Sequence, residues 1–458
     1  MVQCSSFAMC TGKIGYRWVI ALTIFFSTYV SYMLRVNISV NIVAMVPTSN
    51  VTYDSQNTLD WTPYQRAQVL SSFFWGYLVS NLLGGLLAIR YGPRLVCLVM
   101  IAISALLTIL SPLAAKHSFI MMIVVRIAIG LCCGFLYPTM SVLIAHWAVP
   151  TERGKFLGAI IGGAIGTFVT WTLCGVIIES LGWEWGFYTF GIAAFIWCVL
   201  WWFLCYDSPD EHPKISLEEL KYINEGTKHT KNTKRFPPYR RMFTSLPIWS
   251  LLIVNFGTGW GIYFVITAAP SYISSALGYK ISATGALSGI IYLFRSIACF
   301  GFGAVGDFLL KRNILGVPAL RRVATVGSHI IPGGLLMCLA IPGFSPIVYV
   351  VLIILALTIN GQVTLSSTAN PYDLTSNFVG AVTGMAAASI TAGGIITPFV
   401  TAYFTKYNET SAEAWRPVFY TGSMVYILSG LQFIIFGSTK KQAWDEIEQI
   451  EKEISEEV

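Results

Sequence analysis

Long apolar runs separated by short polar or glycine-bearing turns repeat along the whole chain. A bilayer core about 30 Å thick needs roughly 20 mostly apolar residues per spanning helix. Twelve stretches meet that length, approximately 16–47, 65–89, 96–115, 118–147, 156–180, 185–206, 247–276, 283–308, 322–342, 345–370, 377–405 and 415–437. Several exceed the minimum and are expected to tilt. Irregular backbone cannot be satisfied in lipid, so the runs predict helices. The first run is long and no small-residue cleavage site follows it, which argues against a signal peptide.

One long polar segment, 207–246, interrupts the series and carries Pro237-Pro238. It divides the chain into a six-helix bundle over 1–206, a central loop over 207–246, a second six-helix bundle over 247–438, and an acidic tail over 439–458. The tail places Ile447, Ile450 and Ile454 at helical spacing and reads as a solvated helix or as disordered.

Composition narrows the class. Of 458 residues, 55% are apolar and 11% charged, against roughly 25% charged in soluble chains. A water-soluble multidomain enzyme is excluded on that ratio. Most of the ten cysteines, among them Cys97, Cys132, Cys133, Cys174, Cys198, Cys205, Cys299 and Cys338, lie in apolar runs and not at framework spacings, so a secreted disulfide scaffold is excluded as well. The expected fold is an all-α membrane protein of twelve transmembrane helices.

The net charge of +7 matters for its placement. Lys13, Arg17, Arg90, Arg94, Arg153 and Lys155 flank connections to one side, and eight more basic residues lie between Lys214 and Arg241. Lys311, Arg312, Arg321, Arg322, Lys440 and Lys441 fall on the same side. The positive-inside rule then puts both termini in the cytoplasm. Two sequons, at Asn50 and Asn408, fall in loops on the opposite side, as glycan acceptors require. A third, at Asn37, lies within a span and should carry no glycan.

Each half also carries a glycine-rich signal after its second span. In the first it runs from Gly84-Gly85 to Gly92-Pro93-Arg94. In the second it is Gly301-Phe302-Gly303-Ala304-Val305-Gly306-Asp307, followed by Lys311-Arg312. Two six-helix halves with matching loop motifs resemble the major facilitator superfamily, whose substrate site lies between the halves near the bilayer midplane.

Charge inside a span is costly, about 2.5–3.5 kcal/mol for an Arg at a helix centre on insertion scales. Arg35, Arg126 and Arg295 sit inside predicted spans, whereas every Asp and Glu can be assigned to a loop, tail or span end. Arg cannot deprotonate to escape burial, and its planar fork suits carboxylate or phosphate oxygens. A substrate anion is the simplest compensating charge. Arg35, with Asn37 and Ser39 nearby, reads as substrate-binding. Arg126 opens a segment in which Gly130, Gly134 and Pro138 recur every four residues, and there a structural tie and a cavity role weigh equally. Arg295 could face the cavity or snorkel. Tyr263, Tyr292 and Asn37 are secondary candidates for the same site.

His146, near the cytoplasmic end of the fourth span, and Asp373, at the end of the tenth, are candidates for cation coupling. An interfacial, hydrogen-bonded His is the plainer reading for His146, and equally for His329. No P-loop is present, and the interior carries neither metal-ligand clusters nor Ser/His/Asp or Cys/His constellations. An enzyme is therefore not expected, and neither is a cofactor, with Na⁺ or H⁺ left as the possible coupling ion and uncoupled or exchange transport left open beside them.

In detail the chain resembles the sodium/phosphate cotransporter, sialin and vesicular glutamate transporter family. Tyr32-Met33-Leu34-Arg35-Val36-Asn37 matches the family's first-span pattern, and Ser72 to Tyr77 with Gly84-Gly85 matches its second span. Pro150-Thr151-Glu152-Arg153 matches the turn after the fourth span. Trp183, Trp185, Phe187, Tyr188 and Gly191 match the sixth-span entry, followed by Asp207-Ser208-Pro209. Asn370, Asp373, Gly380, Gly384, Pro398 and Gln442-x-Trp444 fit the last third. The resemblance implies secondary transport of anions, with Arg35 and Arg126 at positions used for substrate and coupling. It also places Ile129 and Cys133 where proton-using members carry Glu, Leu70 at a second-span His of the glutamate carriers, and Thr258 at their seventh-span Arg. Arg295 stands where the family has a small residue. These departures argue against a glutamate-vesicle role and against sialin-like proton coupling.

The expectation is a transporter moving an organic anion or phosphate by alternating access, with Arg35 holding the anion and Arg126 tuning the cavity potential. The alternative is a transport-deficient sensor or scaffold with the same fold. The partners expected are a small anion and the lipid bilayer, with no nucleic acid and a monomeric chain. The short N-terminus carries no strong acidic dileucine signal, which favours the plasma membrane over a lysosomal or vesicular one.

Overall fold

Nearly every apolar run is a helix in the computed structural model, which describes residues 15–46, 58–149, 152–227 and 237–445, without the side chains of 82–86, 153, 154 and 157. Twelve rods follow in chain order. The first six are Tyr16–Met45, Pro63–Tyr91, Pro93–His117, Phe119–Trp147, Ala159–Leu181 and Trp183–Leu204. The second six are Leu246–Thr267, Ile281–Lys311, 317–338, Pro346–Leu374, Val379–Thr405 and Ala412–Phe436. Among the described residues, ten are long and apolar enough to cross a membrane by themselves. The ninth falls short because it carries Arg321 and Arg322 and is interrupted by a π turn at Val326–Ile330.

The third rod shows which face meets lipid. Leu95, Val99, Ile103, Leu106, Leu110 and Leu113 are exposed, spaced three or four apart on one side of the helix. Val96, Cys97, Ile101 and Ala105 on the other side are buried. An exposed apolar stripe at helical period fits a hydrocarbon solvent and not water. The chain is a multi-pass membrane protein.

Several rods are locally irregular. The fourth pauses at Phe135, between Gly134 and Pro138. The seventh continues through Pro270 into a π turn at Tyr272–Ala276. The tenth tightens at Gly361–Leu365 and leaves helical geometry at Ser366 (φ −106°, ψ −101°). The π turn of the ninth rod lies against that break, because Gly327 has no side chain and Gln362 fills the space where a Cβ would stand.

Packing forms two compact units. The first contains the described residues of Met1–Asn37, Trp75–Thr170 and Gly186–Lys234, and the second those of Ile38–Phe74, Trp171–Trp185 and Arg235–Val458. In the first unit, the end bearing the basic loops is tied by Asp207. Its carboxylate accepts from the Arg94 N–H at 2.6 Å, and its main-chain oxygen lies 2.9 Å from His146 Nδ1. Gly92, at φ +84°, brings the turn against that carboxylate, where any Cβ would collide. In the second unit, Met242, Ile248, Leu251, Val254, Leu374, Val382, Phe433 and Trp444 form a buried apolar cluster. It docks the start of the tail onto the bundle. The sequon at Asn50 and tail residues 446–458 lie outside the described residues.

Candidate functional site

Two of the three intramembrane arginines meet in the first unit. Arg35 is 6% exposed and Arg126 3% exposed. The Arg35 guanidinium lies over two tyrosine rings, 5.3 Å from the centroid of Tyr32 and 4.9 Å from that of Tyr77. Tyr32 is one helical turn from Arg35, so both point to the same side of the first rod. The Tyr137 hydroxyl donates to the Tyr32 hydroxyl at 2.9 Å, which fixes the first ring from the fourth rod. Arg126 Nη2 donates to the main-chain oxygen of Arg35 at 3.3 Å. Asn37, two residues on, is buried.

This is a charged, aromatic-walled cluster within the membrane-spanning part. Cation–π contacts are worth about 2 kcal/mol or more when desolvated, enough to orient a guanidinium. The six rods of the first half hold carboxylates only near helix ends, at Glu179 and Glu184. The neighbourhood is therefore strongly electropositive. Cys133 lies 3.9 Å from Ser104 Oγ.

Arg295, Tyr292 and Tyr263 belong to the second unit. Arg295 is 9% exposed, and its Nε donates to Asn360 Oδ1 at 3.1 Å. Tyr292 meets Trp171 edge-on at 6.1 Å, and Tyr263 meets Phe74 at 4.5 Å. The three thus have different partners. Arg295 does not snorkel; it heads a polar run that the sequence left unassembled. Asn360 Nδ2 donates to the Ser328 oxygen at 2.8 Å, Ser328 Oγ lies 2.8 Å from His329 Nδ1, and His329 Nε2 lies 3.1 Å from the Val254 oxygen and 3.2 Å from Thr258 Oγ1. His329 is wholly buried, not interfacial. The available signal was a His and an Asn inside apolar runs, each expensive in lipid.

The coupling candidates have structural partners. His146 is exposed and holds the Asp207 main chain. Asp373 is gripped by Arg321 through Nε at 2.8 Å and Nη2 at 3.2 Å, while Arg321 Nη1 donates to the Leu365 oxygen at 2.8 Å. The pair closes the broken end of the tenth rod. Asn408 is exposed, as a glycan acceptor must be. Its neighbour Glu409 is buried and paired with Arg66, beside a cavity bordered by Thr267, Ser271, Thr401 and Thr405.

The Major Facilitator Superfamily model matches residues 20–378. The chain is 28% identical over 450 residues to the vesicular glutamate transporter 2 of Homo sapiens, covering 95% of this chain and 76% of that one. It is 31% identical over 456 residues to the uncharacterized transporter slc-17.2 of Caenorhabditis elegans, covering 93% and 92%. Among solved structures, a bacterial homolog of the human lysosomal transporter Spinster superposes with a TM-score of 0.73 at 14% identity, covering 93% of this chain and 98% of that one. A D-xylose–proton symporter gives 0.67 at 14% identity, covering 93% and 99%. At those identities the likeness concerns the fold.

Proposed function

Because the chain belongs to the Major Facilitator Superfamily and, within it, to the sodium/phosphate cotransporter, sialin and vesicular glutamate transporter family, we propose that this membrane transporter carries a small organic anion or inorganic phosphate by alternating access. The carrying observation is the buried Arg35 guanidinium lying over the Tyr32 and Tyr77 rings, with Arg126 donating to its main-chain oxygen. A guanidinium is planar, and its fork matches carboxylate or phosphate oxygens bidentately. Arg35 holds the anion, Arg126 sets the potential of the pocket, and Asn37 supplies polarity two residues on. Arg295, with Tyr292 and Tyr263 in the same unit, contributes a second electropositive element.

Transport is coupled to a cation, Na⁺ or H⁺, and the protein works as a monomer with both termini in the cytoplasm. The clustering of Lys and Arg on the loops of one side supports that orientation. The plasma membrane is its place, with glycans at Asn50 and Asn408. The test is uptake of labelled phosphate, glutamate, sialic acid and an aromatic carboxylate into vesicles reconstituted with the purified protein, with and without Na⁺ and at two pH values. Saturable uptake of at least one anion is the expected result; flux of neutral solutes alone would refute the proposal.

A further inference from the structure

The polar run headed by Arg295 draws on four rods that hydropathy offers no reason to join. Thr258 comes from the seventh, Arg295 from the eighth, Ser328 and His329 from the π turn of the ninth, and Asn360 with Ser366 from the broken stretch of the tenth. His329, Ser328, Ser366 and Asn360 are 0% exposed, and Thr258 is 2% exposed. Discontinuities of this kind cluster at functional sites in membrane transporters.

The hydrogen bonds have a property that bears on function. With neutral His329 protonated on Nε2, that N–H donates to the Val254 oxygen at 3.1 Å, and Nδ1 accepts from the Ser328 hydroxyl at 2.8 Å. Ser328 Oγ lies 3.3 Å from Ser366 Oγ, which in turn has the Val363 oxygen at 3.4 Å. Adding a proton to Nδ1 turns it into a donor. Ser328 then rotates to accept from His329 and donates to Ser366, and Ser366 donates to Val363. Every group is satisfied in both states. A buried His without such a reversible chain would leave an orphan donor on protonation, at about 1–3 kcal/mol.

We propose that His329 is a proton-binding site of this transporter, linked through Ser328 and Asn360 to an anion position at the terminal amines of Arg295. The proposal rests on the anion-transport reading above. Among the described residues, Arg295 has one hydrogen bond, through Nε, and no acceptor meets its two terminal nitrogens. The titratable groups facing His329 are few. Tyr426 of the twelfth rod lies 5.5 Å away ring to ring, and Arg295 is connected through Asn360 and Ser328. The seventh rod offers the Thr258 hydroxyl and the Val254 carbonyl, and the tenth offers Ser366 and Asn360. The Arg295 charge opposes a second positive charge on His329, and an anion on the Arg295 amines cancels that opposition. Anion and proton therefore favour each other's binding, a coupling that is reciprocal by linkage. Two ligands that bind best together move together, so the device makes the protein a proton–anion symporter. The proton on Nδ1 leaves when the anion does.

The experiment is counterflow in reconstituted vesicles, with labelled phosphate or whichever carboxylate of the panel is carried, at equal pH inside and out. Between about pH 5.5 and 7.5, the range in which histidine changes charge, wild-type half-saturation falls as pH falls, by up to about tenfold per pH unit for one linked proton. In His329→Gln the saturation curve no longer moves with pH. A variant that keeps the wild-type pH dependence overturns the proposal, and so does a wild-type curve that is flat with pH. Absence of counterflow with every anion overturns instead the transport reading on which the proposal rests. A second measurement needs no variant. Detergent-solubilised wild-type protein in weak buffer takes up about one proton per anion bound near pH 7, read with a pH indicator; binding without proton uptake overturns the assignment.

Discussion

Arg126 and Arg35 are joined through the main chain and not through their charges: Nη2 of Arg126 donates to the carbonyl oxygen of Arg35 at 3.3 Å. One arginine thereby holds the backbone of the first rod, and the other lies over the Tyr32 and Tyr77 rings. Two positive charges ordinarily separate. Here the hydrogen bond and the cation–π contacts with Tyr32 and Tyr77 keep them close.

The two arginines are therefore expected to fail differently. Arg35→Lys keeps the charge but loses the planar fork, so half-saturation for the anion rises by tenfold or more, about 1.4 kcal/mol, with surface expression retained. Arg126→Ala removes a charge-assisted bond worth about 1.5–3 kcal/mol and lowers the thermal midpoint of the purified protein. Equal uptake by Arg35→Ala and wild type would remove Arg35 from the site.

Arg66 and Glu409 form a buried ion pair within the second unit, joining the second rod to the loop before the twelfth. Removing one partner strands the other as a buried charge, at about 3–5 kcal/mol, whereas replacing both with apolar groups is often neutral. Arg66→Met and Glu409→Leu should each lower the melting temperature, and the double variant should recover most of the loss. A double variant no better than the sum of the singles would show that the two side chains do not interact in the membrane.

Asp373 tests structure against coupling. Its bidentate partner Arg321 also holds the Leu365 oxygen at the break in the tenth rod. Asp373→Asn should lower protein yield and thermal stability by an amount comparable to Arg321→Lys, while the uptake that remains keeps its wild-type dependence on Na⁺ and pH. A changed ion dependence at normal stability would return Asp373 to the coupling machinery.

Acid should loosen the docked tail only at low pH. Burial acts to raise the carboxyl pKa of Asp445, but the Ser376 N–H, the Thr375 hydroxyl and the Asn377 N–H, with Lys441 nearby, outweigh it and hold the group below its ordinary range. A depressed native pKa means stability that is fully present above the unfolded value, near 3.9, and is lost as pH falls through the native one. Trp444, 7% exposed beside Asp445, reports on docking. Its fluorescence should stay native down to about pH 4 and shift below it, and Asp445→Asn should shift it at neutral pH. A transition near pH 6 would contradict the assignment.

The sequence alone was enough for the class of molecule. Twelve apolar runs of bilayer length, the long polar break at 207–246, one-sided placement of Lys and Arg, and three arginines in spans needed only hydropathy and the cost of charge in lipid. Arg35 with Tyr32 was also legible, because residues three apart on a helix share a face by local geometry. Tertiary structure decided every relationship between rods. It gave Arg126 a carbonyl and not a carboxylate, tied His146 and Asp373 into structural contacts, and moved His329 from the interface to the centre of a polar run with Arg295. Hydropathy says that a helix lies in the membrane but not how it is turned about its axis. That rotation, set by side-chain packing and by breaks at Gly361 and in the π turn at Val326–Ile330, decides which polar residues from distant parts of the chain come to face one another.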